Sequence, residues 1–498
     1  MPLRICLVAA EVTPLAKTGG LADVSAALVK YLHAEGHDVR LFMPGYALIR
    51  REELECYPVD FLQRLPLQLG AYRYEFSVST ARLPGSSAFV YLIDCPECFG
   101  RPSIYSADPD EHRRFLLLTH AAFVCCQRMG FAPQILHFND WHSAVGTLLL
   151  RWTYAWDRLF QDSRSVLTIH NVGYQGIIDS GALPEVLPGG AAMFDPGELA
   201  VGRIGLLRTG IRYADLITTV SPTYAREIQS PEYGMGLDGE LRARADALVG
   251  VLNGVDYDDW DPRHDRFLPR HFDPDHLGAK AALKQELLQR LSLGREAGAP
   301  LIGIVSRLVA QKGFDLLFEA LPRLLQLRAF DLVVLGTGEP EYEEFFAALA
   351  REHPARIYFH RGYSDELAHW IEAASDMFLM PSRYEPCGLN QMYSLRYGSV
   401  PIVRRTGGLA DSVVPFEART GTGTGIMFSD YTAEAVGAAI EQALELYHTP
   451  EAWQRLVRSG MAQDFSWSRQ VHRYVELYEG LRGERPALAA PPVPDPRL

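Results

Sequence analysis

The sequence predicts an α/β fold made of two doubly wound domains. A chain of 498 residues is too long for one hydrophobic core. Short apolar strands alternate with helical segments from residue 4 and again from residue 301, which indicates two parallel sheets covered on both faces. The hexapeptide TGGLAD also occurs twice, at residues 18–23 and 406–411, each time after a cation. We therefore expect two similar domains that face each other across a deep cleft.

The first elements predict a Rossmann-like opening unit. Residues 4–12 form an apolar strand, a loop with two glycines follows, and a helix runs to about Ala34, where Gly36 ends it. The next strand covers residues 38–46. Strand, glycine loop, helix and strand in this order are typical of dinucleotide-type folds. Alternating residues in the segment 67–94 predict a small antiparallel insertion.

Parallel architecture then resumes, with polar residues at the end of each strand. After a polar loop that contains Tyr105, we expect a helix over residues 111–129. Three strands follow, and their polar ends are residues 139–142, 170–174 and 221–223. The last of these resembles a capped helix start. Because the carboxyl ends of parallel strands meet at one edge, these tips should line one rim.

The pattern changes near residues 249–261, which are rich in turn formers. We predict an amino-terminal domain of residues 1–250, a carboxyl-terminal domain of 251–464, a helix at 465–484 that packs back on the first domain, and a disordered tail at 485–498. The second domain has five predicted strands, at residues 301–306, 331–336, 357–362, 377–382 and 400–403. Its predicted helices are residues 314–327, 341–353, 366–374 and 389–398.

Composition excludes several classes of function. A net charge of −13 argues against nucleic-acid binding, which depends on neutralising phosphates. No apolar run is long enough to span a membrane, and the run 5–10 is too short for a signal peptide. Seven cysteines without an export signal predict a reduced, cytoplasmic protein. Cys95 and Cys98 form a C-x-x-C, but without a second pair we interpret them as unligated thiols.

Charged residues in three loops suggest a phosphate-binding site. Arg307 and Lys312 are spaced to bracket a diphosphate, and each TGGLAD loop offers glycines and a helix amino terminus that favour an anion. The alternative is that both cations are solvated surface residues. Glu385, two residues after Arg383, either binds sugar hydroxyls or handles a proton, or forms a salt bridge with Arg383 or Lys312.

Several further residues leave their interpretation open. His170 is a sugar ligand or a buried, hydrogen-bonded histidine, and no third ligand supports a metal at Asp140 and His142. Neither G-x-S-x-G nor a Walker loop occurs, and the Gly-Thr-Gly of residues 336–338 is an incomplete dinucleotide fingerprint. Three aromatic residues either hold a polysaccharide outside the active site or belong to the core, namely Trp152, Tyr154 and Trp156.

Seven motifs together resemble the bacterial glycogen synthase and starch synthase family. They are KTGGLADV, NDWH, TIHNVGYQG, LNGVD, SRLVAQKG, RYEPCGLNQ and RRTGGLADSV, in family order over about residues 4–480. The resemblance implies a B-type glycosyltransferase that binds its donor between two Rossmann-like domains. It also implies transfer of glucose from ADP-glucose to the 4-hydroxyl at the non-reducing end of an α-1,4-glucan such as glycogen or a maltooligosaccharide, with retention of configuration and without a metal or other cofactor.

The resemblance also assigns roles to individual residues. Arg307 and Lys312 would stabilise the departing diphosphate, Glu385 would act beside the transferred glucose, and His170 would lie near its 6-hydroxyl. Lys17 would lie beside the donor phosphates and Tyr363 against the adenine. The remaining positions matched to donor or acceptor binding are Gly19, Gly20, Asp23, Tyr105, Asp140, Asn171, Asn253, Cys387, Gly388, Leu389, Thr406, Gly407 and Gly408.

Two residues depart from patterns in the wider superfamily. Tyr393 occupies the place of a second glutamate, as in the starch synthase branch, and Asn390 replaces a threonine, for which we expect tuning rather than loss. Two other functions are open. One is a related glucosyltransferase that uses UDP-glucose or a small acceptor, and the other is a catalytically silent glucan-binding protein. The joint presence of Lys17, His170, Arg307, Lys312 and Glu385 disfavours the silent protein.

Overall fold

The computed structural model describes residues 2–294, 296 and 298–482, so the predicted tail at 485–498 lies outside the described residues. Contacts within the chain divide it into two units. Of the described residues, the amino-terminal unit comprises 2–220, 225–251 and 470–482. The carboxyl-terminal unit comprises residues 221–224 and 252–469.

The amino-terminal unit is built on one large sheet. Its strands are apolar because most of them are covered on both faces. In chain order the strands of this unit are β1 (Arg4–Val8), β2 (Asp38–Pro44), β3 (Tyr57–Pro58), β4 (Leu65–Leu69), β5 (Tyr72–Arg82), β6 (Phe89–Asp94), β7 (Ile135–Asn139), β8 (Arg164–Ile169), β9 (Ile177–Asp179), β10 (Arg203–Gly205), β11 (Leu216–Thr219) and β12 (Leu248–Gly250).

The sheet runs in the order β12-β11-β8-β7-β1-β2-β6-β5-β3, with β4 on β5. All strands from β12 to β6 are parallel, whereas β5 is antiparallel to β6, β3 and β4. The predicted antiparallel insertion is therefore an extension of the main sheet, because β6 pairs in parallel with β2. The strand order reverses between β1 and β7, and ligands of open α/β sheets bind beside such a point.

Helices cover this sheet. They are α1 (Gly20–Ala34), α2 (Pro96–Phe99), α3 (Glu111–Met129), α4 (Asp140–Ala144), α5 (Gly146–Arg151), α6 (Leu183–Val186), α7 (Pro196–Ala200), α8 (Leu206–Tyr213), α9 (Pro222–Glu227), which begins in the other unit, and α10 (Asp238–Ala243). The predicted bounds of α3 are confirmed, as is the end of α1 at Ala34. The Ser221 hydroxyl accepts from the Tyr224 amide, which confirms the predicted cap of α9.

The carboxyl-terminal unit contains a second parallel sheet in the order β15-β14-β13-β16-β17-β18. Its strands are β13 (Leu301–Leu308), β14 (Asp331–Gly338), β15 (Ile357–Arg361), β16 (Met377–Met380), β17 (Val400–Arg404) and β18 (Ile426–Phe428). Five of them were predicted. β18 was not, since three residues are too few to show a periodic pattern. The order reverses between β13 and β16, so the residues after these two strands flank the switch point.

The helices of this unit pack on both faces of the sheet. They are α11 (Gly278–Arg290), α12 (Leu317–Leu327), α13 (Pro340–Glu352), α14 (Asp365–Ala374), α15 (Asn390–Arg396), α16 (Gly407–Ser412), α17 (Ala433–Tyr447) and α18 (Pro450–Met461). The last helix, α19 (Trp467–Gly480), joins the amino-terminal unit from Gln470 onward. There the buried Tyr478 hydroxyl lies 2.7 Å from Nδ1 of His137.

The two parallel sheets, each covered by helices, confirm the predicted doubly wound α/β class. Within the described ranges, the helices are too short or too polar for any of them to traverse a lipid bilayer.

Candidate functional site

The turn after β16 carries a buried carboxylate. Glu385 is only 4% exposed, and its Oε2 accepts from Lys312 Nζ at 2.6 Å and from the Ser382 hydroxyl at 2.9 Å. The salt bridge considered for Glu385 therefore exists, and Lys312 is the partner. The Arg383 guanidinium instead lies over the Tyr431 ring, 5.7 Å from its centroid.

The two cations proposed for diphosphate binding have different environments. Lys312 ends a 3₁₀ turn, Ala310–Lys312, and its charge is balanced by Glu385. Arg307 lies near the end of β13 with an exposed side chain, and it forms no ion pair with any residue that the structure describes. Since β13 and β16 are neighbours, this edge of the sheet combines one neutralised pair with one available guanidinium. Such a site can accept an anion.

The carboxyl-terminal TGGLAD loop, residues 405–411, packs against the Glu385 turn. The Gly408 amide donates to the carbonyl oxygens of Glu385 (3.0 Å) and Pro386 (3.2 Å). Gly407 has φ +42°, and a Cβ atom there would overlap the Glu385 carbonyl oxygen. Asp411 accepts from the amide and the hydroxyl of Thr223 at 2.7 and 2.6 Å. The glycines of this loop therefore permit tight packing of one backbone on another.

Asn253, Gly388 and Leu389 lie at this turn, whereas Tyr363 follows β15 in the same unit. Asn253 is buried and bonds the Cys387 thiol, whose pKa is raised to about 12 by burial. The buried Oδ1 of Asn253 forms no hydrogen bond with any described residue. Gly388 has φ +72° and Leu389 precedes α15. Tyr363 is 60% exposed, with its hydroxyl 2.5 Å from Asp365 Oδ1.

Three sequence features of this unit have packing roles. Tyr393 is buried and stacks on Trp260 with 4.0 Å between ring centroids. Asn390 Nδ2 donates to the Val305 carbonyl at 2.8 Å, which ties α15 to β13. A Cβ atom at Gly336 or Gly338 would overlap backbone oxygens of β13, so the Gly-Thr-Gly segment allows close strand pairing and gives no evidence of a dinucleotide site.

In the amino-terminal unit, the first TGGLAD loop is held by a carboxylate that the sequence analysis did not single out. This amino-terminal TGGLAD loop, residues 17–23, has Lys17 Nζ 2.8 Å from Asp23 Oδ1, with the two side chains 38% and 25% exposed. The Thr18 and Gly19 amides both donate to Glu11. A Cβ atom at Gly19 would meet nothing within 4 Å. In the sequence, Glu11 is separated from the end of β1 by only two alanines, but nothing near it indicates its hydrogen-bond partners.

A second buried carboxylate, Asp140, organises the polar tips of β7 and β8. It has φ +51° at the start of α4, and its Oδ1 accepts from the His170 amide at 2.7 Å. Burial raises the pKa of Asp140 to about 7, against the opposing effect of hydrogen bonds from the His170 and Asn171 amides. These two predicted tips are thus joined, as expected for one rim.

His170 is buried, and its Nε2 lies 2.9 Å from Asn139 Oδ1. Burial lowers its pKa to about 3, so the imidazole is neutral near pH 7. His142 is also buried, with a pKa lowered to about 3 by burial, and it stacks on Tyr105 at 4.9 Å. Throughout the part of the chain that the structure describes, no three His, Cys, Asp or Glu side chains are grouped to hold a metal ion.

Next to these residues is a cavity of about 770 Å³ in the amino-terminal unit. Trp141 and Tyr174 provide aromatic surface, and Asp108, Glu111 and Asp179 provide carboxylates. Of these five residues, only Trp141 and Tyr174 belong to motifs that were recognised in the sequence. Aromatic faces combined with hydrogen-bonding side chains suit a ligand with apolar ring faces and hydroxyl edges.

The other open motifs lie outside this cavity. Tyr154 is buried and stacks on Phe123 at 4.3 Å, so it belongs to the core, whereas Trp156 is 75% exposed and Trp152 is half-buried. Cys95 and Cys98 are buried, and both are free thiols.

Comparisons with known families match both halves of the chain. The family described as starch synthase catalytic domain matches residues 4–243, and the family described as glycosyl transferases group 1 matches residues 288–459.

Individual relatives match over nearly the whole length. A glycogen synthase of Anaeromyxobacter dehalogenans (strain 2CP-C) is 44% identical over 485 residues, which cover 96% of this chain and 100% of the relative. A glycogen synthase of Syntrophotalea carbinolica is 42% identical, with 96% and 98% covered. The solved catalytic domain of starch synthase IV from Arabidopsis thaliana, bound to ADP and acarbose, superposes on this chain with a TM-score of 0.90 at 32% sequence identity. The match covers 97% of this chain and 100% of that domain. A sucrose-phosphate synthase from Thermosynechococcus elongatus (TM-score 0.61, 17% identity, 96% and 99% covered) shares the fold.

Proposed function

The chain belongs to the glycogen synthase and starch synthase family of glycosyltransferases, and on that premise we propose its donor, its acceptor and its catalytic groups. The donor is ADP-glucose, and the acceptor is the non-reducing 4-hydroxyl of an α-1,4-glucan. Glucose is transferred with retention of configuration. The seven thiols, none of them in a disulfide, suit the reducing cytoplasm, which we propose as the location.

The observation that carries this proposal is the Lys312–Glu385 ion pair at the same sheet edge as Arg307, which forms no ion pair with any residue that the structure describes. Transfer of glucose leaves a nucleoside diphosphate, so negative charge develops on the departing phosphate. A guanidinium and an ammonium aimed at that charge stabilise the transition state electrostatically. The arrangement needs no divalent cation for this purpose, and we propose that none is used.

Glu385 has a second task in this scheme. In the resting protein its carboxylate neutralises Lys312 at 2.6 Å. When the diphosphate approaches Lys312, the ammonium gains a second anionic partner and Glu385 becomes available to the glucosyl group. A carboxylate there stabilises positive charge that develops at the sugar carbon, a benefit that is larger in the transition state than in the ground state. The leaving phosphate would assist deprotonation of the acceptor hydroxyl.

The amino-terminal unit supplies the remaining contacts. We assign Lys17 to the donor phosphates, and His170 and Asn171 to the glucose hydroxyls. The neutral imidazole of His170 can donate or accept a hydrogen bond. The cavity lined by Trp141, Tyr174 and three carboxylates is assigned to the glucan acceptor. A starch synthase bound to ADP and acarbose is a close structural neighbour, which supports a nucleotide donor and an oligosaccharide ligand here.

The test is the initial rate of labelled glucose incorporation into glycogen, with ADP-glucose and UDP-glucose compared in the presence of a chelator. A rate with ADP-glucose at least tenfold above that with UDP-glucose, unchanged by the chelator, is expected. A preference for UDP-glucose would show that the proposed donor is wrong. Loss of activity on chelation would contradict the metal-free scheme, and transfer from neither donor would contradict the proposed reaction as a whole.

A further inference from the structure

Four hydrogen bonds converge on one side chain that no part of the proposed reaction uses. Glu11 is 4% exposed and follows β1, next to the switch point of the amino-terminal sheet. Its Oε2 accepts from the amides of Thr18 (2.5 Å) and Gly19 (3.1 Å). Its Oε1 accepts from the hydroxyls of Thr18 (2.7 Å) and Tyr105 (2.5 Å).

We propose that Glu11 is the positioning residue of the donor loop, which sets the place of Lys17 and links that loop to Tyr105. The inference rests on the proposed function, because Lys17 is assigned there to the donor phosphates. Glu11 itself touches no substrate in this scheme. A carboxylate has only acceptor positions, so it suits a pocket lined by four donors.

The arrangement also decides which groups of the loop can meet a phosphate. Amides at a helix start commonly bind anions, and the repeated TGGLAD sequence suggested that use here. The Thr18 and Gly19 amides, however, already donate to Glu11. The Lys17 ammonium and its partner Asp23 are both partly exposed, so Lys17 is a group of this loop that can exchange its partner for a diphosphate.

Two substitutions separate the amide contacts from the charge. Glu11→Ala leaves two backbone donors without their acceptor, so the loop loses its anchor. In Glu11→Gln the carbonyl oxygen can keep the two amides, and the amide group can donate to the Thr18 and Tyr105 hydroxyls, since hydroxyls both donate and accept. We expect Glu11→Ala to raise the KM for ADP-glucose and the Kd for ADP at least tenfold, and Glu11→Gln to keep both within about threefold of wild type.

A matched control is another buried carboxylate of the same unit. Asp215 accepts from the Ser165 amide and hydroxyl and pairs with Arg151, but it bonds no residue of the TGGLAD loop. Asp215→Ala should lower thermal stability while the KM for ADP-glucose stays within twofold. An equal rise in KM for Asp215→Ala and Glu11→Ala would show a general structural effect and overturn the assignment.

The decisive measurement is a double-mutant cycle between Glu11→Ala and Lys17→Ala, read as the Kd for ADP by calorimetry. If Glu11 acts through Lys17, the double variant should bind ADP no more than about threefold more weakly than the weaker single variant. If the fold-increase in Kd for the double variant equals the product of the fold-increases for the two single variants, the two residues act independently and the inference is wrong. Should Glu11→Ala not fold, Glu11→Asp takes its place, because the shorter side chain keeps the charge but withdraws from the loop amides.

Wild-type behaviour distinguishes the two proposals. If the wild-type protein binds ADP and transfers glucose while Glu11→Ala and Glu11→Asp leave its KM unchanged, the positioning role is wrong and the proposed function stands. If the wild-type protein neither binds ADP nor transfers glucose from ADP-glucose, both are wrong.

Discussion

The two TGGLAD loops have the same six residues and each leads into a helix, but α1 begins at Gly20 whereas α16 begins one position earlier in the repeat, at Gly407, and the loops are held by different partners. In the amino-terminal loop, side-chain oxygens of Glu11 receive the Thr18 and Gly19 amides, and space is open beside Gly19. In the carboxyl-terminal loop, main-chain oxygens of the Glu385 turn receive the Gly408 amide, and no Cβ atom fits at Gly407. One loop can be approached by a ligand, whereas the other is part of the support of Glu385.

The comparison shows what a short repeat determines. Glycine followed by Leu-Ala-Asp is sufficient to start a helix in both places, because that depends on local backbone freedom. The role of each loop depends on which surface packs against it.

The largest effect is expected from an alanine at Gly407, the first glycine of the carboxyl-terminal TGGLAD loop, and the matched variant has an alanine at Gly19, the first glycine of the amino-terminal loop. Gly407→Ala places a Cβ atom on the Glu385 carbonyl at a positive φ, so we expect a loss of about 3 kcal/mol or more in the free energy of unfolding and nearly all activity. Gly19→Ala should change stability by less than about 0.5 kcal/mol, since its φ is −157° and the space is open. Chemical denaturation and initial rates measure both. Equal destabilisation of the two variants would refute the comparison.

Glu385→Gln separates the carboxylate from the backbone carbonyl of the same residue. The Gly408 amide keeps its main-chain acceptors, so the loop should remain in place. We expect kcat to fall at least about 100-fold with little change in the KM for ADP-glucose, because the lost interaction acts in the transition state. An unchanged kcat would remove the catalytic role of Glu385. A large fall in thermal stability would instead assign the side chain to support of the turn.

Asp140 gives a pH-dependent test of the amino-terminal unit, whose polar tips are held by carboxylates. Its pKa is raised to about 7, largely by burial, from an ordinary value of 3.8. Between pH 3.8 and about pH 7, Asp140 is therefore protonated in the folded protein but ionised in the unfolded chain. The bound proton stabilises the folded protein at low pH, and this contribution is lost as pH rises through about 7.

Asp140→Asn cannot ionise, so its stability relative to wild type should increase by about 4 kcal/mol between pH 4 and pH 8. Urea denaturation of both proteins at a series of pH values measures the difference. A difference that is constant over this range would show that Asp140 titrates normally. Ser143→Ala, at a neighbouring buried position that does not ionise in this range, is a control for the loss of a polar side chain without this carboxylate.

The smallest change in stability is expected for the cations that precede the loops. Lys17 and Asp23 form a partly exposed pair, so Lys17→Ala should cost less than about 1 kcal/mol of stability. If this loop meets the donor, the same variant should raise the KM for ADP-glucose about tenfold. Arg405→Ala, at the matching exposed position of the other loop, should raise it less than threefold. A larger rise for Arg405→Ala would reverse the roles of the two loops.

Much of the fold could be predicted from local patterns. The bounds of α3 and the end of α1 match their predictions, because amphipathic periodicity and a terminal glycine are local signals. The pairing of β6 with β2 could not be predicted, since the paired residues are 49 positions apart in the sequence and a local pattern does not show which strands pair. The strand β18 was too short to be recognised.

The candidate site divides in the same way. The sequence offered two interpretations of Glu385, and only the contact with Lys312, 73 residues away, decided which salt bridge forms. Glu11 was missed because nothing in its neighbours predicts four donors, of which Tyr105 is 94 residues distant. The substrate roles of the predicted residues stay predictions until the variants are measured.

The α/β class, the positions of most strands and helices, and the family can be read from the amino-acid sequence, because they depend on periodicity, glycine placement and short motifs. The folded chain is needed to see that one TGGLAD loop is bound by the carboxylate of Glu11 while the other packs against the carbonyl of Glu385. Identical segments cannot encode different partners. The partners come from distant parts of the chain, and packing alone brings them within hydrogen-bonding distance.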